Sequence, residues 1–137
     1  MDEEYLNYLS RIQKVILMLL NVDGTPIKGK TWFQKEIFLI SKLDEEMKEE
    51  LEFEANNYGP HSYEADEALE NLEDEGLIEV LGENEIKLTE EGEDAANILK
   101  NKFSPKELEF YKEIKSFLND LSRMELLVYI YQTNKDM

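Results

Sequence analysis

Apolar residues recur along the chain at spacings that alternate between helical and strand periods. Leu6, Leu9, Ile12, Val15, Ile16 and Leu19 stand three or four apart, which predicts one amphipathic helix from about Glu3 to Asn21. Asp23-Gly24 and Pro26 end it. A second helix is predicted from Thr31, a good N-cap residue, with Phe33, Ile37, Ile40 and Trp32 marking its inner face. Asp44 restarts the helix through DEEMKEEL, where Met47 and Leu51 face inward. The segment FEANNYGPHS, Phe53 to Ser62, reads as a structured loop whose bend is set by Gly59 and Pro60. Ser62 caps a third helix, YEADEALENLEDEG. Its inner stripe is Ala65, Ala68, Leu69 and Leu72, and Gly76 closes it.

The period then changes. Ile78/Val80 and Ile86/Leu88 alternate with charged neighbours on either side of Gly82-Glu83-Asn84, which predicts a β-hairpin. Thr89 caps a fourth helix. Ser104-Pro105-Lys106-Glu107 is a capping box with proline at the first helical position, and Ser122 to Glu125 is another. Three helices, a two-stranded wing and three further helices predict a mainly α fold with a small β-hairpin. This is the winged-helix variant of the helix-turn-helix arrangement, with extra C-terminal helices. Residues 1–103 form the winged-helix core and 104–137 a helical extension within the same compact domain. The expected core is Ile12, Val15, Ile16, Leu19, Phe33, Ile37, Leu69, Leu72, Ile78 and Leu88.

Charge changes the picture more than size does. The 137 residues suffice for a single core, and a hydrophobic fraction of 42% argues against wholesale disorder. The net charge is −17, and it is unevenly placed. Residues 62–94 carry 14 acids and one base, Lys87, whereas residues 95–137 carry seven bases and six acids. Generic binding to nucleic acid or to an anionic membrane is disfavoured, because such affinity comes from neutralising phosphates. There are no cysteines, so disulfides and thiolate metal sites are excluded. The start MDEEYLNYLS lacks the basic region of a secretory signal, and the longest apolar run, Val15 to Leu20, is too short to span a bilayer. A cytoplasmic location is expected.

The third helix carries Glu64, Asp66, Glu67, Glu70, Glu73, Asp74 and Glu75, with Asn71 its only neutral polar reader. In a winged-helix DNA reader this helix would enter the major groove, where carboxylates repel the backbone. An acidic face offered to a basic partner protein competes there with a merely solvated face. The Tyr58-Gly59-Pro60-His61 turn has two readings. Tyr58 packs on the core while the glycine and proline set the bend, or Asn56, Asn57 and His61 serve as hydrogen-bonding groups on a partner surface. His61 is the sole histidine and stands in no metal-ligand spacing, so no metal or cofactor is expected. Nor does any nucleophile or oxyanion signature accompany it. Lys28, Lys30, Lys35 and Lys42 form a basic cluster that balances nearby carboxylates. The aromatic series Phe103, Phe110, Tyr111, Phe117, Tyr129 and Tyr131 is expected mostly in the core. Met124, Leu127, Val128 and Tyr131 are the positions for a homodimer surface through the C-terminal helices.

Gly29 to Ile78 combines GKTWFQKEIFLISK with FEANNYGPHSYEADEALENLEDEGLI. This combination resembles the Panacea-type and YwgA-like small winged-helix proteins. Their pattern is a helix with an F/L-Q-K centre, a Y-G-P-x-S turn, and a helix ending in L-x-x-x-G-L-I. The matching positions are Phe33, Gln34 and Lys35; Phe53, Tyr58, Gly59, Pro60 and Ser62; and Leu72, Gly76, Leu77 and Ile78. The ending LSRMELLVYIY looks like the C-terminal helix of the YwgA-like group. The resemblance implies an interaction role, as an antitoxin or as an adaptor that holds a toxin or protease, and brings no catalytic residues. The expectation is a non-enzymatic protein-interaction module whose partner surface includes Asn57, Tyr58, His61, Glu64, Glu67, Glu70, Asn71 and Asp74. The alternative, from fold class alone, is a DNA-binding transcriptional regulator.

Overall fold

Ser10 interrupts what the apolar period would continue. In the computed structural model, which describes residues 3–56, 58–82 and 84–134, the expected first helix is two: α1 (Glu3–Asn7) and α2 (Arg11–Asn21). Ser10 Oγ accepts from the Gln13 N–H at 3.3 Å, and the Ser10 N–H donates to Gln13 Oε1 at 3.0 Å. This capping box satisfies the open N-terminal groups of α2. It lies inside an apolar stripe that runs on unbroken on both sides, so periodicity alone overlooks it.

Beyond Ser10, α2 is buried on every side from Val15 to Leu20, and packs against α4, α5, α6 and α7. A helix apolar all round belongs at the centre of a core. α3 (Lys30–Ser41) is nearly as enclosed and belongs to the same hydrophobic cluster. α4 (Glu45–Glu50) begins where Asp44 accepts from the Met47 N–H at 3.0 Å, and places Met47 and Leu51 inward as expected. Arg11 ties these helices together: it pairs with Asp44 and Glu107, each at 2.9 Å, and lies over the ring of Phe103.

The expected loop at Phe53 to Ser62 is instead a second small hairpin. β1 (Glu54–Asn56) pairs antiparallel with β2 (Gly59–His61), Glu54 opposite His61 and Asn56 opposite Gly59. Gly59 turns at φ 88, a conformation that disfavours other residues. Two strands of three residues leave almost no period to read, which is why the segment looks irregular in sequence. α5 (Tyr63–Asp74) follows, capped by Ser62, and it buries Ala65, Ala68, Leu69 and Leu72 as the stripe requires. Gly76, at φ 79, ends it.

The β-hairpin forms where alternation places it. β3 (Ile78–Leu81) and β4 (Glu85–Leu88) pair antiparallel, with Ile78 opposite Leu88 and Val80 opposite Ile86. Ile27, between α2 and α3, adds one bridge to Ile86, its N–H donating at 2.8 Å and its carbonyl accepting at 2.9 Å. α6 (Glu90–Leu99) starts at the Thr89 cap and packs against α2. The molecule is thus mainly helical with two small antiparallel hairpins. Of the ten expected core residues, nine are buried and Leu88 is half-buried.

α7 (Pro105–Asn119) and α8 (Arg123–Thr133) begin at the two capping boxes expected of them. Tyr111, Leu118, Leu126 and Ile130 join the same hydrophobic cluster as α2 and α3. Most of the aromatic series is internal, as expected: Phe103 and Tyr111 are buried and Phe110 and Tyr129 pack half-buried against the core, while Phe117 and Tyr131 are exposed. α7 also brings a charge inside. Lys115 is fully buried and donates to Asp23 at 2.7 Å, to the Leu20 carbonyl at 3.4 Å, and to the Thr25 carbonyl. Glu36 of α3 lies in this cluster, fully buried, with no hydrogen-bond partner for either oxygen among the described residues. Burial pushes the Glu36 carboxyl well above its ordinary range; Lys115 opposes that shift and Asp23 adds to it. No helix among the described residues is long and apolar enough to cross a membrane.

Candidate functional site

Three consecutive polar residues of α3, Gln34, Lys35 and Glu36, are buried. Glu36 points into the Lys115 cluster. The other two organise the hairpin and the start of α5. Gln34 Oε1 accepts from the Ser62 N–H at 2.9 Å, while Gln34 Nε2 donates to the Ser62 carbonyl at 2.9 Å and to Asp66 Oδ1 at 2.8 Å. A side-chain amide thus completes both backbone bonds of a buried residue, as an adjacent strand would. Lys35 Nζ donates to the Pro60 carbonyl at 2.9 Å beneath Gly59. A Cβ at position 59 would stand 3.3 Å from Lys35 Cε, so glycine serves the close approach as well as the turn. Burial pushes the Lys35 ammonium down to about 8, partly offset by the Asp66 carboxylate.

His61 completes this junction. Its Nε2 lies 2.9 Å from Asp66 Oδ2, and its ring meets the Tyr63 ring edge-on at 4.8 Å between centroids. Its Nδ1 is buried with no partner among the described residues. Between the start of α3, the hairpin and α5 lies a cavity of about 210 Å³, to which Lys30, Lys35, Tyr58 and His61 contribute. Tyr58 is 52% exposed, so the expectation that it packs on the core is corrected: Gly59, Pro60 and Lys35 fill the space beneath the turn.

The remaining expected partner-surface residues separate by helical geometry. Glu64, Glu67, Asn71 and Asp74 occupy one flank of α5, and Asp66, Glu70 and Glu73 the other, on either side of the buried stripe. Glu64, Glu67 and Asn71 line an open groove of about 450 Å³ with Gln13 and Glu50. Glu50 is structural there, accepting from the Arg11 and Ile12 N–H groups at 3.1 and 3.0 Å. Glu64 accepts from the Glu52 N–H at 2.9 Å, which holds its carboxyl below the ordinary range. Glu70 borders a smaller recess with Lys30 and Asp66. Asn57 lies outside the described residues. The seven described residues of the expected eight therefore form no single surface. Tyr58 and His61 belong to the hairpin cavity, Glu64, Glu67 and Asn71 to the groove, and Glu70 to the opposite flank.

Comparison with family models, with curated proteins and with solved structures finds no match. The chemistry is therefore read from the residues alone. Among the described residues no group of three or more His, Asp or Glu side chains is arranged to hold a metal ion. The expected basic cluster does not form a common surface. Lys35 is buried, Lys28 bonds the Leu121 carbonyl at 3.0 Å over the Trp32 ring, and Lys42 bonds Asn134. Residues that the sequence reading did not place on the partner surface, Gln34, Lys35 and Asp66, hold the cavity together. The signal for them is the polar triplet within WFQKEIFLI: such a helix, apolar elsewhere, must take some of its polar side chains inside.

Proposed function

We propose that the protein is a non-enzymatic interaction module on a winged-helix scaffold, adaptor- or antitoxin-like, which docks a basic segment of a partner protein on the outer flank of α5. The observation that carries this reading is the groove beside α5. Its wall presents Glu64, Glu67 and Asn71, and the helix itself has no lysine or arginine. Exposed charge of one sign steers a partner of opposite sign and sets its association rate more than its residence time. The scaffold reading draws support from the helix order and from Ile27, which fastens the connection before α3 to the wing.

The test is affinity capture from the native cell with the wild-type chain and with a Glu67→Lys/Asp74→Lys variant, both positions being exposed. A basic protein recovered by the wild type, lost in the variant and weakened by salt is the expected result. Equal recovery by both chains, or no partner with the wild type, overturns the reading. The winged-helix regulator that reads DNA is the alternative. Its reading helix would be α5, whose outward carboxylates repel phosphate. A mobility shift of random duplex at low salt, where such binding is tightest, would favour that alternative.

The second partner we propose is another copy of the chain. Met124, Val128 and Tyr131, at 70, 45 and 57% exposure, form one outward stripe of α8. Residues 95–137 are close to neutral while the remainder is strongly acidic, so like-charged copies meet with least repulsion there. Sedimentation of the wild type against Val128→Asp checks this: a concentration-dependent dimer lost in the variant is expected, and a monomer at every concentration refutes it.

A further inference from the structure

The cavity between α3 and the β1–β2 hairpin is rich in hydrogen-bond donors and short of free acceptors. Both Asp66 oxygens are taken, by Gln34 and His61. Gln34 Oε1 is taken by Ser62, Asn56 Oδ1 by the Tyr58 N–H at 3.0 Å, and the Pro60 carbonyl by Lys35. The donors are less occupied. Lys35 uses one of its three N–H groups on Pro60, and Lys30, the Thr31 hydroxyl and the Tyr58 hydroxyl have no partner among the described residues. His61 Nδ1 is also unpartnered, but with Nε2–H directed at Asp66 the neutral ring presents an acceptor there, so it adds nothing to the donor set. A volume of about 210 Å³ far exceeds the roughly 10–15 Å³ that one water needs.

We propose that this cavity is a binding site for a small oxyanion, a carboxylate or phosphate group held by Lys30, Lys35 and Thr31. Lys30 and Lys35 both line the cavity, and the one carboxylate in its wall is already engaged on both oxygens. Lys30 and Thr31 are the first residues of the 12-residue helix α3, whose N-cap, Gly29, supplies no side-chain acceptor. The backbone there favours negative charge, which adds to the side-chain donors. The net charge of −17 opposes an anion at long range, but salt at physiological strength screens that field over about 8 Å, so the adjacent donors decide. Lys35, held near 8 by burial, gains a counter-charge when the site fills. The site is independent of the acidic groove, since it takes ligands of the opposite sign.

The test is a titration of the full chain followed through its backbone amide resonances, with inorganic phosphate in one arm and acetate in the other. Chloride at matched ionic strength is the reference. Saturable shifts confined to residues 29–35, 56, 58, 59, 61 and 62 are expected, and the arm that saturates identifies the anion class. Lys30→Gln is expected to weaken binding about five- to tenfold, the loss of one charge-assisted hydrogen bond. Lys35→Met is expected to abolish it. Should Lys35→Met fail to fold, the exposed Lys30→Gln and Thr31→Ala variants decide the matter. Shifts that do not saturate in either arm, that reach Lys100 and Lys102 equally, or that persist unchanged in Lys30→Gln overturn the proposal.

Discussion

Replacing Gly92 with alanine reverses the usual effect of that substitution. In an exposed helix interior, alanine gains about 1 kcal/mol over glycine. Gly92, in the first turn of α6, is buried against the start of the β3–β4 hairpin. A Cβ there would overlap the Leu77 carbonyl oxygen and come within 2.8 Å of the carbonyl carbon and 3.2 Å of Leu88 Cδ2. The obstacle is backbone, so relief requires α6 to move away from β3. That movement strains the Thr89 N–H bond to the Leu77 carbonyl, 3.1 Å, and the Thr89 hydroxyl bond to the Gly76 carbonyl, 2.6 Å. Overpacking costs about 1–3 kcal/mol and each weakened hydrogen bond about 1 kcal/mol. Set against the propensity gain, the net loss is about 2–4 kcal/mol. Urea unfolding followed by circular dichroism measures it. With a slope of roughly 2 kcal/mol per molar, the midpoint falls by about 1–2 M. A midpoint that stays or rises refutes the close packing of α6 on the β3–β4 hairpin.

Glu36→Gln tests the buried carboxyl. Its folded-state pKa lies above the ordinary 4.5, so above pH 4.5 the native state holds a proton that the unfolded state has released. Wild-type stability therefore falls relative to the variant as pH rises, by at most about 1.4 kcal/mol per pH unit, whereas parallel stability curves would refute the shift. Ser10→Ala removes the cap that divides α1 from α2, and is expected to cost about 1 kcal/mol in the same urea assay; no loss would deny the cap its role. Tyr58→Ala is expected to change stability by less than about 0.5 kcal/mol, because the ring is half exposed and makes no side-chain hydrogen bond; a loss above about 2 kcal/mol would restore it to the core.

Local signals in the sequence carry most of the helical architecture. Ser62, Thr89, Ser104 and Ser122 announce their helices because each cap combines a short side chain with a fixed offset to the first turn. The β3–β4 hairpin is legible because Ile78/Val80 and Ile86/Leu88 alternate with charge. Two features escape for opposite reasons. The Ser10 box is hidden by an apolar stripe that continues through it, and the Glu54–His61 hairpin is hidden because its strands present no apolar alternation. α8 gives a weaker signal: its run LLVYIY is apolar on every face, so periodicity does not say which side is buried, and the structure leaves Val128 and Tyr131, two of the residues read as a surface, outside.

The candidate cavity is harder to read from the chain because its chemistry is divided between burial and sequence distance. His61 and Asp66 are five residues apart, but Gln34 meets Ser62 across 28 positions, and Lys35 meets Pro60 across 25. Nothing in the one-dimensional pattern tells a buried lysine from a solvated one; only the surrounding apolar residues of WFQKEIFLI carry that information. The same arrangement makes the site part of the fold. Gln34 and Lys35 supply bonds that hold the hairpin to α3, so removing either unsettles the cavity and the scaffold together. Lys30 and Thr31 face the same cavity without bonding the hairpin. Ligand binding and stability therefore separate along α3 itself: substitutions in its first turn act on the ligand, and substitutions one turn later act on both.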